Sequence, residues 1–173
     1  MDPGPVVLSV VVPCRNAETH LPGLLDVLSR ERSDGAWEVV VVDNGSNDAT
    51  RAIAERHAGA LAIRVVDAPD RHGPGYARNF GAAAATGEHL LFLDNDDLIA
   101  PGYLDAMRSA LAEADLVGAC VDVRTLNPPW AVESRPEPVV DGLFDHFGFL
   151  PYAELRPGRA PNGVRPARRV RRW

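Results

Sequence analysis

The sequence has no lysine, only two cysteines and no long hydrophobic run. Cys14 and Cys120 cannot form the disulfide framework of a small secreted domain, so we interpret them as reduced thiols, with one buried pair as the alternative. The longest apolar runs, such as Val39 to Val42, are too short to cross a bilayer. The N-terminus lacks the basic segment of a secretory signal. These absences predict a cytoplasmic protein.

Charge is distributed unevenly along the chain, and this division predicts two regions. Residues 1–155 carry 11 arginines and all 24 acidic residues, a net charge of −13, whereas residues 156–173 carry seven arginines and no acid, a net charge of +7. The acidic body argues against a nucleic-acid partner. The arginine-rich end has too few apolar residues to order itself, which predicts a disordered tail. Its charge also suits peripheral contact with anionic lipid at the inner face of a membrane.

The body, residues 1–155, alternates predicted strands with predicted helices. Apolar β-branched runs predict the strands, and apolar residues at helical spacing between turn residues predict the helices. The predicted strands are Val6 to Val12 (ended by Pro13), Glu38 to Val42, Leu61 to Val66, 89–93 and Leu116 to Val123; the predicted helices run from a Thr19 cap to Arg30, from Ala49 to Ala58, from Tyr76 to Thr86 and from Pro101 to Ala114. This alternation predicts a single α/β domain with a mainly parallel sheet.

Polar clusters follow three of the predicted strands at the point where each strand ends. They are Cys14 to Glu18, Asp43 to Asp48 and Asp94 to Asp97. In open parallel sheets, ligands bind beyond the carboxyl ends of the strands, near the point where the strand order reverses. Three polar clusters on one edge therefore predict a binding site there.

The third cluster has the most specific chemistry. Asp94, Asp96 and Asp97 follow the apolar run Leu90 to Leu93, with no basic residue among them. Carboxylates packed this closely repel one another, and a divalent cation relieves the repulsion. Oxygen ligands of this kind suit Mg²⁺ or Mn²⁺, ions that commonly bring substrate phosphates with them. The cluster predicts a metal and phosphate site, and a solvated turn before the next helix is the alternative.

Four segments together resemble a known family. In chain order they are Val10 to Glu18, Val41 to Thr50, Gly75 to Asn79 and Gly87 to Asp97. Their sequences and spacing resemble family 2 glycosyltransferases of the GT-A fold, over roughly residues 6–120. The resemblance implies a Rossmann-like three-layer sandwich, a nucleotide-diphospho-sugar donor, Mg²⁺ or Mn²⁺ as cofactor, and transfer to an acceptor hydroxyl with inversion. It leaves open whether the acceptor is a saccharide, a lipid-linked molecule or a small molecule.

The same resemblance implies roles for particular residues on the nucleotide side of the site. Asp43 matches the aspartate that binds the nucleotide base, and a carboxylate can accept the N–H of an imide or amide. Pro13, Asn16 and Glu18 match the loop along the base and ribose. Turn formation at Asp43 and a surface position for Glu18 are the alternatives.

On the phosphate side, the resemblance implies a basic residue and a metal-binding motif. Arg78 matches the arginine near the nucleotide, where a guanidinium can make a bidentate phosphate contact. Asp94 and Asp96 match the two aspartates of the DXD motif, and Asp97 is a candidate to assist or replace Asp96. Asp94 is therefore predicted both to contact the nucleotide-sugar and to bind the metal.

The sequence departs from the family pattern in the acceptor half. Deprotonating the acceptor requires a carboxylate base, and Asp141, Asp145 and Glu154 lie in no matching motif, so no catalytic residue is assigned. We expect a chain that stops before the acceptor half is complete. A non-catalytic, truncated nucleotide-binding remnant is therefore the second hypothesis. A nucleotidyltransferase is disfavoured because the loop after the first strand, containing Cys14 to Asn16, is not glycine-rich.

Overall fold

Four parallel strands form the sheet of the first of two units of the chain, Met1–Leu111. The computed structural model describes residues 6–119 and 170–172. The strands are β1 (Val6–Cys14), β2 (Ala36–Asp43), β3 (Ile63–Asp67) and β4 (His89–Phe92), in the spatial order β3-β2-β1-β4. The helices are α1 (Leu21–Leu28), α2 (Thr50–Arg56, followed by a 3-10 turn, His57–Gly59), α3 (Pro74–Ala84) and α4 (Tyr103–Leu111).

The strand order reverses between β1 and β4. From β1 the chain adds β2 and then β3 on one side, and it adds β4 on the other side of β1. At such a reversal, the loops that leave two neighbouring strands diverge and open a crevice at the carboxyl edge of the sheet. The crevice in this protein lies beyond Cys14 and Phe92.

The valines of the two central strands lie at the centre of the core. Val10 to Val12 of β1 and Val39 to Val42 of β2 are fully buried. Successive side chains of a strand point to opposite faces, so continuous burial requires cover on both faces, as in a three-layer α/β protein. Ala77 of α3 belongs to the cluster on one face, with Val11. The leucines of α1 are buried at helical spacing, and α1 contacts α2.

Gly81 explains how closely α3 approaches the sheet. A Cβ atom at this position would overlap Val11 Cγ1 and would lie 2.6 Å from Val42 Cγ2. Only glycine therefore permits this separation between helix and sheet. The close packing fixes α3, whose first turn borders the crevice.

Pro13 does not end the first strand, which corrects the sequence prediction. It pairs in register with Val42, and β1 continues to Cys14. The pairing of β1 with β4 ends at Val11, and the Pro13 carbonyl accepts a hydrogen bond from Asn95 Nδ2 at 3.1 Å. The carbonyl and the nitrogen of a strand residue face the same neighbouring strand, so the nitrogen of Pro13 faces the β4 side. The pairing with β4 has already ended there, and the missing N–H of Pro13 therefore removes no hydrogen bond between strands.

The predicted cap of α1 was also wrong. The helix begins at Leu21 after His20, which makes no side-chain capping bond, and Pro22 occupies the first turn. Proline is favoured there because the nitrogens of the first turn have no partner within the helix. The helix ends at Leu28, before the predicted end at Arg30.

The second unit, Ala112–Trp173, contributes two short strands to the described residues. β5 (Leu116–Gly118) pairs in parallel with β6 (Val170–Arg172). The predicted boundary at residue 155 lies outside the described residues, and β6 is the part of the predicted tail that the structure describes. In residues 6–119 and 170–172, no helix has the length and apolar character needed to cross a membrane.

Candidate nucleotide-sugar site

A cleft of about 360 Å³ opens at the reversal point of the sheet. Ligand sites for small molecules commonly enclose about 300–1,000 Å³. The walls come from the end of β1, the loop after β2, the start of α3 and the segment after β4; among the described residues they are Pro13, Cys14, Arg15, Asn44, Gly73, Pro74, Ala77, Arg78, Asp94, Asn95 and Asp96. Four separate chain segments therefore meet at the edge that the sequence predicted.

Two guanidinium groups and two carboxylates line this cleft. Arg78 of α3 forms an ion pair with Asp94 Oδ1, and both side chains remain partly exposed, 34% and 51%. Arg15 is exposed, and it forms no ion pair with the acids of residues 6–119. The cleft thus offers one unpaired guanidinium, one paired guanidinium, and the carboxylate of Asp96.

Asp97 occupies a different place from the two aspartates before it. Its Oδ2 accepts the backbone N–H of Asp94 at 2.8 Å, and its own N–H donates to the Asp94 carbonyl at 3.0 Å, so it closes a tight turn. Partial desolvation and then the charges of Asp94 and Asp96 raise the pKa of Asp97. Asp97 is not among the residues that line the cleft. Its predicted role as a metal ligand stays a prediction.

The donor set suits a divalent cation that completes its coordination outside the protein. Within the described residues, no group of three or more His, Cys, Asp or Glu side chains is arranged to hold a metal ion. Asp94 and Asp96 supply two carboxylates on one wall of the cleft. Magnesium-type sites often use one or two carboxylates together with substrate phosphates and water. The residues therefore fit Mg²⁺ or Mn²⁺ in the presence of a phosphorylated ligand.

Asn16 and Glu18 bind the loop after β2, and neither lines the cleft. Asn16 adopts a positive φ of 51°, and its Oδ1 accepts the backbone N–H of Asn47 at 2.9 Å. Glu18 Oε2 accepts the N–H of Ala49 at 3.1 Å, just before α2. These bonds fasten the two predicted nucleotide loops to each other. The predicted contacts of both residues with base and ribose stay predictions.

Asp43 lies at the end of β2 and is buried. Its Oδ1 accepts the backbone N–H of Ser46 at 2.8 Å, so the turn interpretation of this residue agrees with the structure. Pro13 lines the cleft whereas Asp43 does not. Binding of a nucleotide base by Asp43 stays a prediction.

Asn44 is a positioning residue that sequence reasoning missed. Its buried Nδ2 donates to the carbonyls of Ala68 at 2.7 Å and Arg71 at 2.6 Å, and its Oδ1 accepts the N–H of Gly73 at 2.8 Å. The amide thereby holds the loop that leads into α3 and Arg78. Asparagine after a buried strand is also typical of simple turns, so the sequence pattern does not separate the two roles.

Cys14 lies in the cleft wall with a thiol that does not ionise near neutral pH. Burial, followed by the charges of Asp43 and Asp48, raises the pKa of Cys14 to about 12. The thiol donates weakly to the Val12 carbonyl, with 3.6 Å between sulfur and oxygen. Only the thiolate is a nucleophile, so the geometry agrees with a packing role.

The sequence of this chain is similar to a known protein family and to individual curated proteins. The family model described as Glycosyl transferase family 2 matches residues 9–161. A dolichyl-phosphate beta-glucosyltransferase of Drosophila melanogaster is 38% identical over 99 residues, covering 51% of this chain and 30% of the relative. The match with this relative and with two other similar curated proteins spans about a third of the length of each.

Two solved structures share the fold and more than 30% of the aligned residues. The crystal structure of S. aureus TarS 1-349 in complex with UDP-GlcNAc has a TM-score of 0.62 and 32% identity, covering 72% of this chain and 37% of that chain. Mannosyltransferase PcManGT from Pyrobaculum calidifontis, in complex with GDP-Man and Mn²⁺, has a TM-score of 0.53 and 31% identity, covering 62% and 34%.

Proposed function

The chain belongs to glycosyl transferase family 2, and we propose that its cleft binds a nucleotide-diphospho-sugar donor from which the sugar passes to an acceptor hydroxyl. Its fold is the GT-A fold that the sequence predicted. The observation that carries the proposal is the meeting of Arg78, Asp94 and Asp96 in one cleft at the reversal point of the sheet. The donors named in the two solved relatives, UDP-GlcNAc and GDP-Man, have the same diphosphate chemistry.

The chain's own cations supply the phosphate recognition. Arg15 has no internal acidic partner in the described part of the chain and faces the cleft. Arg78 reaches the cleft from the first turns of α3. Guanidinium groups bind phosphate oxygens through paired, charge-assisted hydrogen bonds. Together the two arginines can hold a diphosphate against the ends of β1 and β4.

Asp94 and Asp96 would hold Mg²⁺ or Mn²⁺, whereas Asp97, which the sequence also predicted as a ligand, does not line the cleft. When bound, such an ion stabilises the negative charge that develops on the departing nucleoside diphosphate. Asp94 and Asp96 line the cleft beside Arg78, which supports this assignment. The turn closed by Asp97 fixes the backbone of Asp94 and so limits where its carboxylate can reach.

The nucleotide would lie toward the loops after β1 and β2. Pro13 reaches the cleft directly, and Asn16 and Glu18 hold the first loop against the second, which begins at Asp43. We propose that this bonded pair of loops forms the floor for base and ribose, with the Asp43 carboxylate on the base. The position of the acceptor and an inverting displacement belong to the same proposal.

A second candidate function is nucleotide-sugar binding without transfer. Transfer requires a base that deprotonates the acceptor, and among residues 6–119 the only carboxylates that line the cleft are Asp94 and Asp96. Both are already assigned to the cation. The other acids considered as bases, Asp141, Asp145 and Glu154, lie outside the described residues.

Calorimetry followed by a turnover assay separates these functions. Binding of UDP, GDP and dTDP is measured with and without Mn²⁺, and release of free nucleotide is then measured from the sugar donor of the diphosphate that binds. We expect one diphosphate to bind more tightly with Mn²⁺ and its donor to be consumed when an acceptor is supplied. Metal-dependent binding without turnover would favour the binding function. Absence of binding for all three diphosphates would contradict both.

A further inference from the structure

The ion pair between Arg78 and Asp94 lies inside the cleft, between two groups that the donor complex also requires. We propose that Arg78 is an internal counter-ion of Asp94, which a diphosphate draws away so that Asp94 becomes available to a divalent cation. The nucleotide and the cation would then enter the cleft cooperatively. This inference rests on the proposed function, because it concerns the same cleft.

The backbone on both sides of the ion pair is held in place by the fold. Asp94 lies in the turn closed by Asp97, and the neighbouring Asn95 donates from Nδ2 to the Pro13 carbonyl at 3.1 Å. Arg78 extends from α3, which packs closely on the sheet at Gly81. The side chains can therefore exchange partners while their backbones stay fixed.

The two cations compete for one carboxylate. Arg78 Nη2 contacts Asp94 Oδ1, and no other acid of the described residues lies within ion-pair distance of Arg78. A guanidinium at this oxygen occupies a coordination direction and places a positive charge next to any incoming cation. Direct competition follows, and it weakens cation binding as long as the guanidinium stays on Asp94.

A diphosphate relieves this competition. Partly exposed ion pairs are weak because water solvates both partners, and Arg78 and Asp94 are both partly exposed. A diphosphate offers the guanidinium more negative charge and a bidentate geometry. When the Arg78 guanidinium binds phosphate instead of Asp94, the Asp94 carboxylate is free to bind the cation. Phosphate oxygens are then also available as further metal ligands. Binding of the diphosphate therefore strengthens binding of the cation, and binding of the cation strengthens binding of the diphosphate by the same factor.

Arg15 provides a matched control within the same cleft. It carries the same charge and lines the same walls, but it makes no ion pair with Asp94. Replacing Arg15 by glutamine removes a positive charge from the cleft without releasing a carboxylate. The comparison therefore distinguishes the specific ion pair from the general electrostatic potential of the cleft.

The test measures Mn²⁺ binding to the full chain without nucleotide, from the electron paramagnetic resonance signal of free Mn²⁺. Couplings between sites typically amount to about 5- to 150-fold in affinity, so we expect Arg78→Gln to bind Mn²⁺ at least about fivefold more tightly than the wild type. Arg78→Lys should stay near the wild type because it keeps the charge. Arg15→Gln should change the affinity less than Arg78→Gln. Arg78→Met gives an independent measurement of the same expectation if the glutamine variant folds poorly.

The second measurement adds UDP and GDP. The factor by which the diphosphate that binds tightens Mn²⁺ binding should be smaller in Arg78→Gln than in the wild type. An unchanged Mn²⁺ affinity in folded Arg78→Gln and Arg78→Met, or an equal gain in Arg15→Gln, would overturn the inference while leaving metal-dependent nucleotide binding intact. If the wild type binds neither diphosphate at any Mn²⁺ concentration, the proposed function fails and the inference fails with it.

Discussion

Asn44 Oδ1 accepts the backbone N–H of Gly73 at 2.8 Å, a contact that joins the end of β2 to the start of α3. The same side chain donates to the carbonyls of Ala68 and Arg71. One buried amide therefore orders the whole connection from β3 to α3. Since Arg78 follows one turn after Pro74, the position of its guanidinium depends on this amide.

Asn44→Asp should destabilise the fold and weaken nucleotide binding. A carboxylate at this position loses both N–H donors and faces two carbonyl oxygens, so we expect the free energy of unfolding to fall by about 2–4 kcal/mol. Urea unfolding monitored by circular dichroism measures the change. Asn47→Asp is the control, because Asn47 is exposed and contributes its backbone N–H to the loop contact. Equal losses in the two variants would contradict the role assigned to Asn44.

Much of the fold could be predicted because local patterns and burial agree. Runs such as Val39 to Val42 are apolar without alternation, a pattern typical of strands covered on both faces, and the leucines of α1 keep a strict helical spacing. The errors fell at ends of elements. Pro13 lies within β1 because the pairing of β1 with β4 ends before it. The point where this pairing ends depends on the length of β4, which the sequence around Pro13 does not specify.

The location of the cleft was predictable where its polar residues lie in one short segment. Asp94 and Asp96 stand close together in sequence and both line the cleft, and their role as metal ligands stays a prediction. Asn44 was missed because its significance arises from contacts with a distant segment. Arg15 was missed because its place in the cleft wall follows from the fold and not from a local pattern. The distant partners of Asn44, Ala68 to Gly73, follow a different strand, and no pattern near Asn44 specifies them.

Gly81→Ala should destabilise the protein by overpacking. The added Cβ would overlap Val11 and crowd Val42, and extra methyl groups in a tight core cost about 1–3 kcal/mol. Thermal unfolding compared with Gly75→Ala measures the effect. Gly75 lies in the same helix, and apart from its chain neighbours and the nearby backbone of α3, a Cβ atom added there would meet no atom of the described residues within 4 Å, so alanine should be neutral or slightly stabilising. A stable Gly81→Ala protein would mean that α3 can move away from the sheet.

Glu38 is a buried acid whose hydrogen bonds link three strands and the turn before β4. Its Oε1 accepts from Ser9 Oγ at 2.7 Å and from the N–H and hydroxyl of Thr86 at 2.8 Å, and its Oε2 accepts from Arg64 Nε at 3.1 Å. Burial alone would raise the pKa of Glu38, but these donors outweigh it and leave the pKa below its ordinary value of 4.5. The ionised form is therefore the one that stabilises the fold.

The stabilisation by Glu38 should disappear in acid. A carboxyl whose pKa is lower in the folded state contributes fully above its unfolded pKa and loses that contribution as the pH falls through the folded value. Glu38→Gln should cost about 1–3 kcal/mol at pH 7, and the difference from the wild type should shrink as the pH falls below 4.5. Urea titrations at several pH values test this, with the exposed Glu55→Gln as control. A difference that stays constant in acid would refute the assignment.

The contrast between Asp96 and Asp97 tests which acids hold the cation. Asp96 faces the cleft, whereas Asp97 closes a turn by accepting the Asp94 N–H, a bond that an asparagine oxygen can also accept. We expect Asp96→Asn to weaken Mn²⁺-dependent binding of the preferred nucleoside diphosphate by more than about 30-fold, the equivalent of about 2 kcal/mol. Asp97→Asn should cost only a few-fold. Calorimetry with and without Mn²⁺ measures both affinities. Comparable losses of nucleotide affinity in the two variants would indicate that Asp97 is also a ligand. Its carboxylate would then have to leave the turn when the cation binds.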